Sequence, residues 1–265
     1  MILSNTPIEK YIIDNREIYV KREDKCCPLP SFSKLRGVKA HLNGKVQQTI
    51  GVLDTFHSKA GWGTSLICKS LNKKCVVFYP VYKHNPGIRS YQRYAQELGA
   101  DLIGLDAGRS FILYQYAKKI LAEKYINSYM MPNALKLKET IQETAREVYN
   151  IPGFLFKDTT WIISVSSGTV AAGVIKGVNN AQVNIILHEG YSRSITSLLS
   201  YVLSFSDFHR DFITVVDEHY EYKDNVNFPC PFPCNPYYDL KAWKWLVLNL
   251  KNIKTKNILF WNIGV

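Results

Sequence analysis

Strand-like apolar runs alternate with helical patterns along most of this chain, and that order limits the folds it can adopt. The first half carries such strands at residues 48–53, 74–79 and 101–105, with helices predicted at 63–71, 90–98 and 110–124. Pro80 is expected to stop the second strand, and Gly99 stands where a helix C-terminal cap is expected. This βαβαβ order predicts a parallel sheet covered by helices.

The second half continues the alternation. A helix is predicted at 136–149 and buried strands at 160–165 and 181–188, with Gly173 in a helix between the strands. Another helix is expected to begin after the Pro-rich stretch 228–236. We therefore predict an α/β protein with two lobes, each a largely parallel, twisted sheet flanked by helices.

The composition is that of a folded, enzyme-sized protein. The chain has 265 residues, 46% of them hydrophobic, which is enough to bury a large core. No run approaches the roughly 18 apolar residues of a membrane span, and residues 1–5 lack the basic-then-apolar pattern of a signal peptide. We expect a cytoplasmic protein with no membrane partner.

Two compositional features raise the question of ligands. The six cysteines have neither zinc-site nor disulfide-framework spacing, so reduced thiols and no metal are predicted; zinc held by Cys230, Cys234 and His219 is the alternative. The net charge of +11 indicates an anionic partner: a phosphorylated cofactor, a small acid or nucleic acid. A solvated, lysine-rich surface would give the same charge.

Lys34 lies in Ser-Phe-Ser-Lys-Leu-Arg-Gly, shortly after the strand-like residues 17–24. A lysine amine attacks carbonyls when desolvation or a nearby cation lowers its pKa, and Arg36 follows two residues later among turn residues. Lys34 is therefore a candidate for holding a cofactor aldehyde. The alternative is a solvated basic turn.

A second candidate site is the turn Ser166-Ser167-Gly168-Thr169, between a buried strand and a helix that contains Gly173. Small residues there place backbone N–H groups and hydroxyls at a positive helix end, which suits a phosphate. An ordinary tight turn is the alternative. The patterns typical of ATP or dinucleotide binding are absent from the sequence.

Two further segments carry candidate catalytic groups. Ser58, in Phe-His-Ser-Lys-Ala-Gly, follows a predicted strand and offers a hydroxyl, whereas the adjacent His57 suits a structural role equally well. Tyr238 and Asp239, in Asn-Pro-Tyr-Tyr-Asp-Leu-Lys, offer an acid–base group and an anchor for a ring nitrogen. Packing of the tyrosine and a helix-start aspartate are the alternatives.

Taken in order, these segments resemble the fold-type II pyridoxal-phosphate enzymes, the tryptophan synthase β-like superfamily. The opening Thr-Pro-Ile-Glu, the Lys-Arg-Glu-Asp strand before Lys34, Leu-Gly-Ala-Asp at 98–101 and the turn at 166–169 are similar to that family's motifs. The segment 236–241 is similar to that of the aminocyclopropane-carboxylate deaminase and D-cysteine desulfhydrase branch.

The resemblance implies roles for individual residues. Lys34 would form the Schiff base with pyridoxal 5'-phosphate and move the α-proton, Ser58 would face the substrate, and Tyr238 would be the active-site tyrosine. Asp239 would face the pyridine nitrogen, and Ser166, Ser167, Gly168 and Thr169 would bind the phosphate. The cofactor would lie between a smaller βαβ domain, residues 46–152, and a larger cofactor-binding domain, residues 1–45 with 153–265. A homodimer is also implied.

One departure from that branch is chemically important. Lys59 stands where the branch has asparagine on the cofactor's ring oxygen. A cation there would still contact that oxygen, or it would mark changed chemistry. We therefore predict a lyase or deaminase that acts on a small amino acid by α-proton abstraction or β-elimination. The alternatives are a pyridoxal-phosphate enzyme acting on an amino-acid-modified nucleotide or DNA, and a catalytically silent binding protein.

Overall fold

Two sheets organise the chain, and each belongs to a separate compact unit. The computed structural model describes residues 5–84, 87–179 and 182–264. Residues 1–4 and Ala181, where the second-half strand was predicted to begin, lie outside these ranges. Within the described residues, none of the helices has both the length and the apolar character needed to cross a membrane.

The larger unit comprises residues 5–34 and 140–264 of the described chain. Its sheet has the order β1-β2-β10-β7-β8-β9, in which only the β1–β2 pair is antiparallel. Apolar clusters cover both faces of this sheet, so the central strand β7 is buried along most of its length. The elements of this unit are β1 Ile8–Ile13, β2 Arg16–Arg22, α5 Lys138–Val148, β7 Lys157–Val165, α6 Thr169–Val178, β8 Gln182–Glu189, α7 Ile195–Leu203, β9 Ile213–Val216, α8 Asp239–Asn249 and β10 Asn257–Asn262.

The smaller unit is Leu35–Glu139, and its four-stranded sheet is parallel, in the order β5-β4-β3-β6. One face packs against α4 through an apolar cluster that includes Val76, Phe78 and Leu121. The elements of this unit are α1 Lys34–Asn43, β3 Thr49–Leu53, α2 Ala60–Ser70, β4 Lys74–Val81, α3 Ser90–Glu97, β5 Asp101–Asp106, α4 Ser110–Lys124 and β6 Ser128–Met130.

The units and the predicted domains differ in two helices. Helix α1 groups with the smaller unit, and α5, apart from its first two residues, groups with the larger one. The predicted division, 46–152 against 1–45 with 153–265, assigns α1 to the larger domain and α5 to the smaller one. The assignment of the larger domain to cofactor binding stays a prediction.

Pro80 does not end β4, contrary to the prediction, because its missing N–H costs no ladder hydrogen bond. The Phe78 carbonyl accepts from Asp54 N at 2.8 Å, so Phe78 faces β3. Two residues on, Pro80 faces the same side, where β3 has already ended at Leu53. The strand continues to Val81 by pairing with β5 on its other side.

Gly99 is the cap expected after α3. It has a φ of +94°, and its N–H donates to the Gln96 carbonyl at 2.8 Å. The next N–H, of Ala100, donates to the Ala95 carbonyl at 3.1 Å. A left-handed glycine with these two bonds closes the helix and turns the chain into β5.

Candidate active site

Four parallel strands of the larger unit end at one edge of its sheet. The paired residues Arg22 and Asn262 mark the ends of β2 and β10, and the paired residues Val165 and Glu189 mark those of β7 and β8. Loops at the carboxyl ends of parallel strands are the usual place for ligands in α/β proteins. The predicted phosphate turn directly follows β7, so this edge is the candidate site.

Lys34 reaches this edge through the segment before it. Ser33 N donates to the Ile263 carbonyl at 3.0 Å, and Phe32 forms a bridge with Gly264, just after β10. Gly264 has a φ of +152°, and a Cβ on it would lie 2.7 Å from the Phe32 Cα, so no side chain fits. Lys34 is half-buried and begins α1 rather than lying within a turn.

The Lys34 ammonium contacts the predicted phosphate turn. Its Nζ donates to Ser167 Oγ at 2.9 Å, and Ser167 Oγ is 3.2 Å from Thr169 Oγ1. Ser166 Oγ accepts from Ser167 N at 2.7 Å, and Gly168 has a φ of +84° at the start of α6. Three hydroxyls therefore lie in the turn that begins a ten-residue helix, whose first N–H groups can donate to a phosphate.

Helix α7 packs directly on this turn. A Cβ on Gly168 would lie 3.0 Å from Tyr201 Cδ1 and 3.2 Å from Leu198 Cδ1. The Tyr201 hydroxyl lies 3.5 Å from Thr169 Oγ1, which adds a fourth hydroxyl beside the turn. No local pattern in the sequence indicates this position for Tyr201, because only the packing of α7 brings it there.

Asp239 and Lys34 are tied to the same residue. Asp239 begins α8 with a side chain that is almost fully buried, and its Oδ1 accepts from Ile263 N at 3.3 Å. The carbonyl of Ile263 in turn accepts from Ser33 N, next to Lys34. The structure thus brings the predicted carboxylate and the predicted Schiff-base lysine to the end of one strand, through a residue that the sequence did not single out.

Tyr238 lies beside the end of β8. A Cβ on Gly190 would lie 3.0 Å from Tyr238 Cδ1, so the ring packs on a backbone that has no side chain. Gly190 N donates to the Val165 carbonyl at 2.9 Å, which joins this point to the residue before the phosphate turn. Lys34, the phosphate turn, Tyr238 and Asp239 therefore occur together at the carboxyl edge of the sheet.

Lys241 is buried and ends the Asn-Pro-Tyr-Tyr-Asp-Leu-Lys segment, and no role was predicted for its amine. Its Nζ donates to the Gly190 carbonyl at 2.6 Å and lies 4.5 Å from the centre of the Tyr220 ring. Burial lowers the pKa of Lys241 to about 8. By holding Gly190, Lys241 fixes the backbone against which Tyr238 packs. The sequence feature that could have indicated Lys241 is its position two residues after Asp239.

Ser58 and Lys59 belong to the smaller unit. Ser58 Oγ accepts from Ala60 N at 3.0 Å at the start of α2, and the Lys59 ammonium lies 5.3 Å from the centre of the Tyr91 ring. The roles predicted for Ser58 toward the substrate and for Lys59 toward the cofactor stay predictions.

The cysteines show no metal-binding arrangement. All six are free thiols, and the described residues hold no group of three or more His, Cys, Asp or Glu side chains that would bind a metal ion. The Cys234 thiol lowers the pKa of Cys230.

No protein-family model matches the chain. It is 49% identical over 277 aligned residues to a glycyl-dTMP PLP-dependent decarboxylase of Pseudomonas phage M6, with all of both proteins covered. The chain belongs to the fold-type II pyridoxal-phosphate-dependent enzymes.

Solved structures of this family share the fold. A homologue of ACC deaminase superposes with a TM-score of 0.82 at 18% identity, covering 100% of this chain and 90% of the other. An O-acetylserine-dependent cystathionine β-synthase from Helicobacter pylori gives 0.68 at 16% identity, covering 99% and 93%. The predicted α/β fold, the family and the pyridoxal-phosphate cofactor are confirmed.

The residues of the larger unit fit this cofactor. The turn 166–169 offers hydroxyls and helix N–H groups to a phosphate, and Lys34 Nζ is already at that turn. Asp239 offers a buried carboxylate, which suits a ring nitrogen that must stay protonated.

Proposed function

We propose that this protein is a pyridoxal-phosphate-dependent decarboxylase whose substrate is an α-amino acid carried on a thymidine nucleotide. The observation that supports this proposal is the 49% identity, over the full length of both proteins, to the phage glycyl-dTMP decarboxylase. The proposal keeps the nucleotide substrate, which was the alternative prediction. It replaces α-proton abstraction and β-elimination by loss of the α-carboxylate as the first reaction step.

The residues of the larger unit can support such a reaction. Bound pyridoxal phosphate withdraws electrons from the substrate carbon whose amine it holds, so that a bond to that carbon can break. Ser166, Ser167 and Thr169 would hold the phosphate, and Lys34 would attach the cofactor. The Lys34 amine would also be placed to carry a proton to the substrate.

After decarboxylation, the site must also supply a proton to the substrate carbon. Loss of CO2 leaves an electron pair on the substrate carbon, and one proton must be returned there to give the amine product. Lys34 Nζ and the Tyr238 hydroxyl are the candidate donors. Asp239, buried at the start of α8, would keep the ring nitrogen protonated and so maintain the electron withdrawal.

The chemistry also limits the substrate. Loss of CO2 from an α-amino acid requires a free amine, for attachment to the cofactor, and a free carboxylate on the same carbon. The nucleotide must therefore be attached at one of the two other positions of that carbon. A phosphate-bearing substrate also suits a chain of net charge +11. A homodimer, a cytoplasmic location and a nucleic-acid partner stay predictions.

The test uses purified holoenzyme and glycyl-dTMP. We expect release of CO2 and a product that keeps its amine, detected by CO2 trapping and mass spectrometry. Lys34→Ala should lose the absorbance of the lysine-bound cofactor and all turnover, whereas Lys118→Ala, at an exposed position on α4, should keep both. Release of ammonia with a keto acid in place of CO2 would contradict the proposal and favour the deaminase prediction.

A further inference from the structure

An aromatic and cationic cluster lies on the smaller unit, and of its members Lys59 is the one that also has a predicted role toward the cofactor. It is built by the loop after β3, by the first turn of α2, by the residue after β4, and by the start of α3. We call it the aromatic–cation cluster, and its members are Phe56, Lys59, Trp62, Tyr82, Arg89 and Tyr91.

Arg89 is the central cation of the cluster. Its guanidinium carbon lies 3.8 Å from the centre of the Phe56 ring, and Phe56 meets Tyr82 edge-on at 5.7 Å between centres. A guanidinium stacked in this way keeps its N–H donors at the edge, where they can bind two phosphate oxygens. Within residues 5–84, 87–179 and 182–264, no carboxylate forms an ion pair with Arg89.

Two further rings of the cluster, Trp62 and Tyr91, lie beside Lys59. Trp62 and Tyr91 are stacked, with 5.8 Å between ring centres and 17° between planes, and Tyr94 meets Trp62 at 4.7 Å. The rings are only partly buried, and Tyr82 and Tyr94 are exposed. Aromatic side chains with accessible faces are the usual stacking partners of nucleic-acid bases.

Among residues 55–96, every residue with a formal charge is a lysine or an arginine. The sequence has no Asp or Glu between Asp54 and Glu97, whereas Lys59 lies in the loop after β3 and Arg89 lies at the start of α3. Strands β3 and β4 are parallel neighbours, so the segments that follow them lie at the same edge of the small sheet. This edge therefore combines cations with aromatic rings. An exposed carboxylate, Asp106, ends β5 opposite Val81 at the same edge.

We propose that the aromatic–cation cluster binds a pyrimidine nucleotide, with the phosphate on Arg89 and the base stacked on the aromatic rings. The choice of a pyrimidine nucleotide rests on the proposed function. A small amino acid would make no use of a cluster that combines aromatic rings with two cations. Its amine and carboxylate can be bound without stacked rings and without both Lys59 and Arg89.

The test measures binding of dTMP to the holoenzyme by calorimetry, with thymidine, inorganic phosphate and a short oligothymidylate as separate ligands. Arg89→Gln should weaken dTMP binding at least tenfold and remove the advantage of dTMP over thymidine. Tyr91→Leu should weaken dTMP and thymidine alike. Arg93→Gln, an exposed cation on the same helix, is the matched control and should change binding by less than twofold.

The outcomes separate this inference from the proposed function. If dTMP binding depends on Arg89 but glycyl-dTMP is not decarboxylated, the nucleotide site stands and the proposed reaction fails. If only the oligothymidylate binds in an Arg89-dependent way, the nucleotide is recognised within DNA. If neither ligand distinguishes Arg89→Gln from Arg93→Gln while Arg89→Gln keeps its circular dichroism and cofactor spectrum, the inference is wrong.

Discussion

Asp54 is a carboxyl group at the end of the fully buried strand β3, and its titration should be visible in the stability of the protein. Burial raises the pKa of Asp54 to about 7, and the nearby Ser58 side chain and Gly61 backbone only partly offset this effect. A Cβ on Gly61 would lie 2.9 Å from Asp54 Oδ2, so the glycine allows the loop after β3 to close over the carboxyl group. The folded chain therefore retains a proton that the unfolded chain releases near pH 4.

Because the folded-state pKa of Asp54 is the higher one, stability is lost as pH rises through the window up to pH 7. We expect the free energy of unfolding to fall by about 2 kcal/mol between pH 5 and pH 7 from this group. Asp54→Asn should remove that dependence in urea denaturation. In Asp101→Asn the pH dependence should persist: burial of Asp101 is outweighed by Lys74 and Tyr125, and its pKa is lowered. Equal slopes in wild type and Asp54→Asn would contradict the assignment.

Helices α5 and α6 show what the periodicity of a sequence can and cannot predict. Both helices were expected close to their observed positions, because their patterns are local. Their close approach was not expected, although Gly173 and Gly177 are spaced for it. A Cβ on Gly173 would lie 2.5 Å from Thr144 Cβ, and one on Gly177 would lie 2.6 Å from Val148 Cβ. This contact holds α5 in the larger unit, whereas the predicted division put it in the smaller domain.

Gly173→Ala tests this helix contact. We expect a loss of about 1–3 kcal/mol in the free energy of unfolding, because the added methyl group must push apart two packed helices. Gly153→Ala is the control, since nothing lies within 4 Å of its added Cβ, and its effect should be close to zero. Chemical denaturation of both variants gives the comparison. A Gly173→Ala protein as stable as Gly153→Ala would show that the helices separate at no cost.

At the scale of the whole molecule, the sequence predicted which segments form strands and helices better than it predicted which strands pair. Local patterns indicated β7, but not that β10 inserts between β2 and β7, with Leu259 paired to Tyr19 and to Trp161. The same limit applies to the site. Lys34 and Asp239 were candidates from their own motifs and received their roles from the family resemblance. Ile263, which connects them, acts through backbone atoms that no sequence motif indicates.

A buried ion pair joins the N-terminal strands to α5, and it provides the last test. Lys21 Nζ lies 2.7 Å from Glu147 Oε2 and 2.8 Å from the Thr6 carbonyl, with the Glu23 carboxylate 3.9 Å away. Both ionic side chains of the Lys21–Glu147 pair are almost fully buried, so removal of Lys21 leaves buried negative charge uncompensated.

Lys21→Met should therefore cost about 3–5 kcal/mol in the free energy of unfolding. Lys21→Met combined with Glu147→Leu should recover part of that loss, because one unpaired charge is removed. Lys10→Ala, which breaks the exposed pair with Glu17, should leave the urea midpoint unchanged. If Lys21→Met denatures at the same urea concentration as Lys10→Ala, the N-terminal strands do not depend on this pair for their attachment to α5.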